Sequence, residues 1–147
     1  MKSILEFRKA ILLAMCVVFS LALFSGCGDD GNGGSKVDIR DSYVGIYNAR
    51  YSFVYQGVQF FDDYVLTVSK SATDENTIIM SNISDYNYVN ARASVNGNSF
   101  SIPQQTFIAL GISGSGMLTG NTLTFSTSET HTDYVGAINV SHTATKQ

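Results

Sequence analysis

A period-two alternation of apolar and polar residues is the feature that most constrains the fold of this chain. Within residues 45–56, aromatic and small residues occupy one face, whereas Asn48, Arg50 and Ser52 occupy the other. This pattern is typical of a β-strand with one buried face. The same pattern recurs at residues 64–69, 77–83 and 89–95. The sequence therefore predicts a chain built from half-buried strands.

Turn sequences divide the second half of the chain into further short strands. Asn96-Gly97 is typical of a two-residue hairpin and leads into a strand at 99–102. Pro103 is expected to end that strand or to place it at a sheet edge, because proline cannot donate to the ladder. The remaining predicted strands are 106–112, 117–119, 122–126 and 134–145, with a bend at glycines 111, 114 and 116 and a turn at Gly120-Asn121.

The short connections favour neighbouring antiparallel strands. No segment of ten or more residues has the apolar stripe of a helix, which a parallel crossover would need. A meander of about eight strands must hide its edges, so we predict an all-β fold with one small up-and-down barrel, and a β-sandwich as the alternative. An eight-stranded barrel has an interior wide enough for its own side chains or for one small ligand.

The first 26 residues have the features of a secretory signal peptide. Basic residues precede an uncharged apolar run at 10–24, which ends at small residues before Cys27. The run is too short for a membrane span, which needs about 20 apolar residues. We expect residues 1–26 to be the signal peptide, 27–40 a modified cysteine and flexible linker, and 41–147 the β-barrel domain.

The residues that precede Cys27 resemble a bacterial lipobox. The stretch is Leu23-Phe24-Ser25-Gly26-Cys27, in which leucine stands one place earlier than in the usual pattern. The resemblance implies that Cys27 carries acyl chains such as palmitate and becomes the first residue of the mature lipoprotein. Cys16 would leave with the signal peptide, so no disulfide is expected within the chain. The membrane is therefore the first partner that we predict.

The linker after Cys27 is rich in glycine and acidic residues, a composition typical of a flexible tether. Asp29 and Asp30 resemble the acidic export signal of surface lipoproteins in Bacteroidetes. The other interpretation is a solvated linker whose carboxylates only favour solubility. The export resemblance implies an outer-membrane location with exposure at the cell surface.

Four segments resemble the small Bacteroidetes lipoproteins that are described as lipocalin-like or calycin-like. They are GIYN at 45–48, YVLTVSK at 64–70, VNGNSFSIPQQ at 95–105 and ISGSGMLTGNTLTF at 112–125. The resemblance implies a β-barrel on a lipid anchor that carries a small hydrophobic or amphipathic ligand. Because the matching residues belong to strands and turns, the resemblance assigns no catalytic residue.

The sequence does not contain a recognisable catalytic or metal-binding pattern, so we predict no enzyme, cofactor or metal. Its only histidines are His131, expected in an exposed loop, and His142, expected to be partly packed in a strand. Asp62 and Asp63 could converge on a cation only at a turn, because adjacent strand residues point to opposite faces. With Phe60 and Phe61 before it and Tyr64 after it, the pair is expected in a loop or at a strand entrance. The glycines at 114–120 lack the spacing of a phosphate-binding loop. The net charge of −3 argues against a nucleic-acid partner.

Aromatic and basic residues are the candidate ligand-binding residues. The four aromatic residues share one face of the first strand, where the alternative is a structural core. One of the two arginines is hypothesised to turn inward and hold an anionic head group, and the alternative is a solvated outer face. These candidates are Tyr47, Tyr51, Phe53, Tyr55, Arg50 and Arg92. The alternative function is an accessory surface lipoprotein with a packed interior that binds an unknown protein partner.

Overall fold

The computed structural model describes residues 37–132 and 136–147. The strands are β1 (Gly45–Tyr55), β2 (Val58–Lys70), β3 (Thr77–Ser81), β4 (Asn90–Asn96), β5 (Ser99–Phe107), β6 (Leu110–Thr119), β7 (Thr122–His131) and β8 (Ala137–Lys146). Two 3₁₀ turns, η1 (Ile39–Ser42) and η2 (Ile83–Asp85), precede β1 and β4. The predicted signal peptide, which includes Cys16, and the residues Cys27, Asp29 and Asp30 lie outside the described residues. Among the described residues, no helix has the length and apolar character to span a bilayer.

The eight strands form one closed antiparallel barrel. Each strand pairs with the next in sequence, and β8 pairs back with β1 so that Tyr47 lies opposite Lys146 and Phe53 opposite Val140. This up-and-down order confirms the predicted all-β barrel and excludes the sandwich. The tight turns follow from the sequence, since Gly97 and Gly120 both adopt the positive φ that such turns require.

The alternating residues of the strands fill the barrel with side chains. In β1, Tyr47 and Ala49 are buried, whereas Asn48 and Arg50 between them are exposed. The core receives inward residues from all eight strands, so burial of apolar surface on one face of each strand stabilises the closed sheet. Its largest fully buried apolar side chains are Tyr43, Tyr47, Leu66, Ile78, Met80, Ile83, Leu110, Ile112 and Leu123.

One end of the barrel is covered by the segment around η1. The hydroxyl of the fully buried Tyr43 donates to the carbonyl of Gly97 at 2.9 Å, and the Tyr47 hydroxyl donates to the Tyr43 carbonyl at 2.6 Å. Asp38 caps η1 and pairs with both Arg40 and Lys70, which hold the pKa of its carboxyl well below the usual range. The opposite end of the barrel is the one where η2 lies, between β3 and β4.

The predicted end or edge at Pro103 is wrong, because β5 continues through it. The β5–β6 register shifts between Ile102 and Gln105, so that Pro103 and Gln104 together lie opposite Ser113. This is a β-bulge, in which an extra residue makes no ladder bond and proline is tolerated.

Two further predictions around β6 are wrong. The predicted strand at 106–112 contains the turn that joins β5 to β6, and Phe107 pairs with Leu110 across it. The predicted glycine bend lies within β6, which is continuous. At Gly116, a Cβ atom would overlap the Cβ of Phe125 and the carbonyl oxygen of Thr124. This glycine therefore allows β7 to approach closely.

Candidate functional site

A group of polar side chains lies inside the barrel, at positions where the strand pattern places core residues. Thr127 and Glu129 project inward from β7, His142 from β8 and Tyr64 from β2, and Ser84 approaches from η2. His142 is only 2% exposed and Glu129 only 6%. Buried polar groups are costly unless they are hydrogen-bonded, so their partners define what this group can do.

These side chains form a continuous series of hydrogen bonds. The Thr127 hydroxyl donates to Glu129 Oε1 at 2.7 Å and lies 2.9 Å from His142 Nε2. Because the hydroxyl has one hydrogen, it accepts from Nε2, which places the imidazole proton on that nitrogen. Nδ1 then accepts from the Tyr64 hydroxyl at 3.0 Å. The donors therefore run in one direction, from Tyr64 through His142 and Thr127 to Glu129.

Burial sets the charge of this series. It lowers the pKa of His142 to about 3, so the imidazole is neutral at physiological pH. The 3.8 Å separation between His142 Nε2 and Glu129 Oε1 is consequently not an ion pair. Burial raises the pKa of Glu129, and the hydrogen bonds from Thr127 and Ser84 oppose that shift. Burial also raises the pKa of Tyr64, which keeps its hydroxyl proton.

Glu129 also lines a pocket of about 110 Å³. The other lining residues are Tyr51, Phe53, Ser84, Tyr86, Leu110, His131, Ile138 and Val140. Four aromatic rings and three aliphatic side chains thus surround a single carboxyl group. Both hydrogen bonds to that carboxyl from the described residues end on Oε1, one from Ser84 at 2.7 Å and one from Thr127 at 2.7 Å. Oε2 therefore accepts no hydrogen bond from the described residues.

The backbone of η2 presents Ser84 to the carboxyl group. Asn82, Ser84 and Asp85 have φ values of 67°, 53° and 63°, which lie in the left-handed region that residues with a Cβ rarely adopt. Such conformations persist only where the surroundings hold them. Here the fully buried Ile83 and the bond from Ser84 to Glu129 provide those contacts.

The aromatic candidates of β1 separate along the strand. Tyr51 and Phe53 line the pocket, with their rings stacked at 6.2 Å. Tyr47 lies deeper and is fully buried in the core, where it bonds to Tyr43. Tyr55 is at the end of β1 and lines a separate shallow depression next to the pocket. Alternation placed all four on one face, but only depth within the barrel distinguishes core from pocket.

The two candidate arginines both lie on the outer surface. Arg50 pairs with Asp63 at 2.7 Å, with 60% of its side chain exposed, and Arg92 lies 3.7 Å from Asp74. Neither turns inward, because each occupies the strand face opposite to the core. The pocket thus contains the carboxyl group of Glu129, whereas the hypothesis predicted an inward-facing arginine.

Two further predictions about polar residues are wrong. Asp62 and Asp63 lie within β2 and not in a loop, and Arg50 lowers the pKa of Asp63. His131 ends β7 and stacks on Tyr86 at 6.1 Å. His142 lies in a strand as predicted, and its burial there is complete rather than partial. The polar series was missed, although Thr127 and Glu129 share the strand parity of Leu123 and Phe125, a signal that predicts polar residues in the core.

The β1–β2 hairpin provides a second distinct surface. β2 pairs with β1 from Val58 onward but with β3 only from Thr67 to Lys70. The preceding part of β2 therefore has an edge without a neighbouring strand among the described residues. Asn82 Nδ2 donates to the Val65 carbonyl at 2.8 Å and covers one end of this edge. The exposed apolar side chains of this hairpin are Ile46, Val54, Val58, Phe60, Phe61 and Val65.

The fold defines the class of protein. It is a small closed barrel of eight antiparallel strands in up-and-down order, which is consistent with a lipocalin-like fold. A scan against protein-family models finds no match, and a search of curated proteins also finds none. Within the described residues, no group of three or more His, Cys, Asp or Glu side chains is placed to hold a metal ion.

Proposed function

We propose that this chain is a lipid-anchored barrel of the bacterial envelope that binds a small ligand in the pocket beside Glu129. The pocket, with a buried carboxyl group among aromatic and aliphatic side chains, is the observation that supports binding. Its volume of about 110 Å³ is well below the roughly 300–1,000 Å³ of drug-sized sites. The ligand, or the part of it that enters, is therefore a group of a few heavy atoms.

Binding without catalysis fits the chemistry of the pocket. His142 contacts the hydroxyl groups of Tyr64 and Thr127, but it does not line the pocket, and its pKa of about 3 makes it a weak base. A general base works best when its pKa lies near the operating pH. We therefore propose a carrier or sensor protein.

The anchor part of the proposal rests on the sequence. The lipobox-like stretch before Cys27 and the resemblance to Bacteroidetes lipoproteins support an acylated Cys27. Two or more acyl chains hold a protein stably at a membrane, whereas one chain binds only weakly. Asp29 and Asp30 support export to the surface of the outer membrane.

The anchor can be tested by metabolic labelling with palmitate. We expect the wild-type chain to incorporate the label and to sediment with membranes, and Cys27→Ala to do neither. Cys16→Ala is the matched control and should behave as wild type. Label and membrane association that survive in Cys27→Ala would overturn the anchor.

Ligand binding can be tested by native mass spectrometry of the full chain, purified in a non-ionic detergent and mixed with a small-molecule extract of bacterial cells. We expect a discrete adduct that Ile138→Trp abolishes, because the larger side chain fills the pocket. Ile108→Trp is the matched control, since Ile108 is 96% exposed, and should retain the adduct. Absence of an adduct on the wild-type chain would contradict the proposal.

The hairpin surface favours a second candidate function, the binding of a protein partner. An extended segment of such a partner could add as a strand along the open edge of β2, with Phe61 and Val58 contacting its apolar side chains. A single mutation can distinguish partner binding from ligand binding. Gln59→Pro, which removes a backbone donor from the hairpin strand, would abolish partner binding and leave the pocket adduct intact.

A further inference from the structure

We propose that the ligand carries a small aliphatic ammonium group, which binds between the Glu129 carboxyl and the aromatic rings of the pocket. This inference rests on the proposed function, because it names the chemical class of the ligand in the same pocket.

The charge distribution around the pocket supports a cationic ligand. Glu129 is buried, and the described residues that line the pocket include no lysine or arginine; the basic side chain among them is His131. An anionic ligand would face this carboxyl without the permanent positive charge of a lysine or arginine to compensate, which is unfavourable in a buried site. Burial raises the pKa of Glu129. An ammonium group beside it supplies the positive charge that favours the carboxylate.

The hydrogen bonds to Glu129 orient its carboxyl for this role. Ser84 and Thr127 both donate to Oε1, and Oε2 receives no donor from the described residues. An ammonium group with N–H donors could bind Oε2 in a charge-assisted hydrogen bond. A quaternary ammonium group has no N–H donor and would leave Oε2 unpaired.

The walls of the pocket also suit a cation on an alkyl chain. The faces of aromatic rings attract cations, and the rings of Tyr51, Phe53 and Tyr86 line this pocket. The stacking of Tyr86 on His131, with planes 17° apart, holds part of this wall. Leu110, Ile138 and Val140 supply apolar contact for the alkyl part.

The test is a calorimetric titration of the full chain in non-ionic detergent at pH 7 with three probes of similar size: propylammonium, 1-propanol and propionate. We expect propylammonium to bind at least about ten-fold more tightly than either analogue. Glu129→Gln, which keeps the shape of the side chain, should weaken propylammonium binding by about ten-fold or more. Glu75→Gln removes an exposed carboxylate and is the matched control, with unchanged affinity.

Several outcomes would overturn the inference. If 1-propanol or propionate binds as tightly as propylammonium and Ile138→Trp abolishes this binding, the pocket binds ligands but not by ammonium recognition. If no probe binds, or Glu129→Gln leaves the affinity unchanged, the ammonium class is wrong, and native mass spectrometry separately decides whether the pocket binds a ligand. If Glu129→Gln does not fold, Tyr86→Leu serves as the test variant instead. It should weaken the binding of propylammonium but not that of 1-propanol or propionate.

Discussion

The imidazole of His142 lies flat against the ring of Phe125 inside the barrel, with centroids 4.3 Å apart and planes 6° from parallel. Phe125 and His142 are also directly opposite each other in the β7–β8 register. The stack fixes the imidazole plane and directs Nδ1 to Tyr64 and Nε2 to Thr127. The neutral His142 thus connects Tyr64, through the Thr127 hydroxyl, to Glu129 at the pocket by hydrogen bonds.

The low pKa of His142 predicts a pH-dependent stability. Between the unfolded pKa of about 6.5 and the folded value of about 3, only the unfolded chain protonates this histidine. Its contribution to the free energy of unfolding therefore falls as pH falls, by up to about 1.4 kcal/mol per pH unit. Relative to wild type, His142→Asn should become steadily more stable as pH is lowered in urea denaturation from pH 6.5 to 4.

Glu129→Gln is the control of opposite sign for this experiment. The pKa of Glu129 is raised on folding, so the folded chain holds the extra proton above 4.5, the ordinary pKa of a glutamate side chain. The contribution of Glu129 to stability is therefore lost as the pH rises. Relative to wild type, Glu129→Gln should become more stable as the pH increases. A constant difference between wild type and His142→Asn would show that the imidazole is not buried in its neutral form.

The Tyr64 hydroxyl is predicted to stabilise the barrel by satisfying His142. Tyr64→Phe leaves Nδ1 buried without its donor, which should lower the free energy of unfolding by about 1–3 kcal/mol. Tyr88→Phe is the matched control, because Tyr88 is 40% exposed, and should change stability little. Equal urea midpoints for the two variants would contradict the hydrogen-bond series.

Close packing of β6 on β7 makes Gly116 sensitive to substitution. Gly116→Ala adds a Cβ that overlaps Phe125 and Thr124, and we expect a loss of about 1–3 kcal/mol in the free energy of unfolding. Ser115→Ala alters the neighbouring exposed position and should be nearly neutral. A Gly116→Ala variant as stable as Ser115→Ala would mean that the glycine is not needed for this contact.

The outer Arg50–Asp63 pair is predicted to contribute little to stability. Both side chains are well exposed, at 60% and 68%, so water screens the pair although its geometry is good. The midpoint of urea denaturation should be the same for Arg50→Ala, Asp63→Asn and the wild-type chain. A loss comparable to that of Tyr64→Phe in either variant would be evidence against this assignment.

Local patterns in the sequence were sufficient to predict the barrel. The alternation around Tyr47 and Ala49 identified β1, and Asn96-Gly97 identified the β4–β5 turn, because these features act over a few residues. Pro103 and Gly116 were misinterpreted for a different reason. Whether such residues end a strand or lie inside one depends on the neighbouring strand, which is distant in sequence.

The candidate site was predicted only in part. Tyr51 and Phe53 were identified from their strand face, but Glu129 was not considered, and His142 was assigned to packing alone. Both lie at core parity on β7 and β8, so the pattern alone could have identified them as buried polar residues. Their meeting with Ser84 depends on the η2 turn, and its left-handed backbone has no clear sequence signal.

The most direct test of ligand binding is an NMR titration of the ¹⁵N-labelled full chain in non-ionic detergent with the small-molecule fraction of a bacterial extract. We predict chemical-shift changes at the backbone amides of Glu129, Tyr86 and Ile138, and their loss in Ile138→Trp. No shift at these residues, or shifts confined to Val58–Lys70 of the hairpin, would contradict a ligand site inside the barrel.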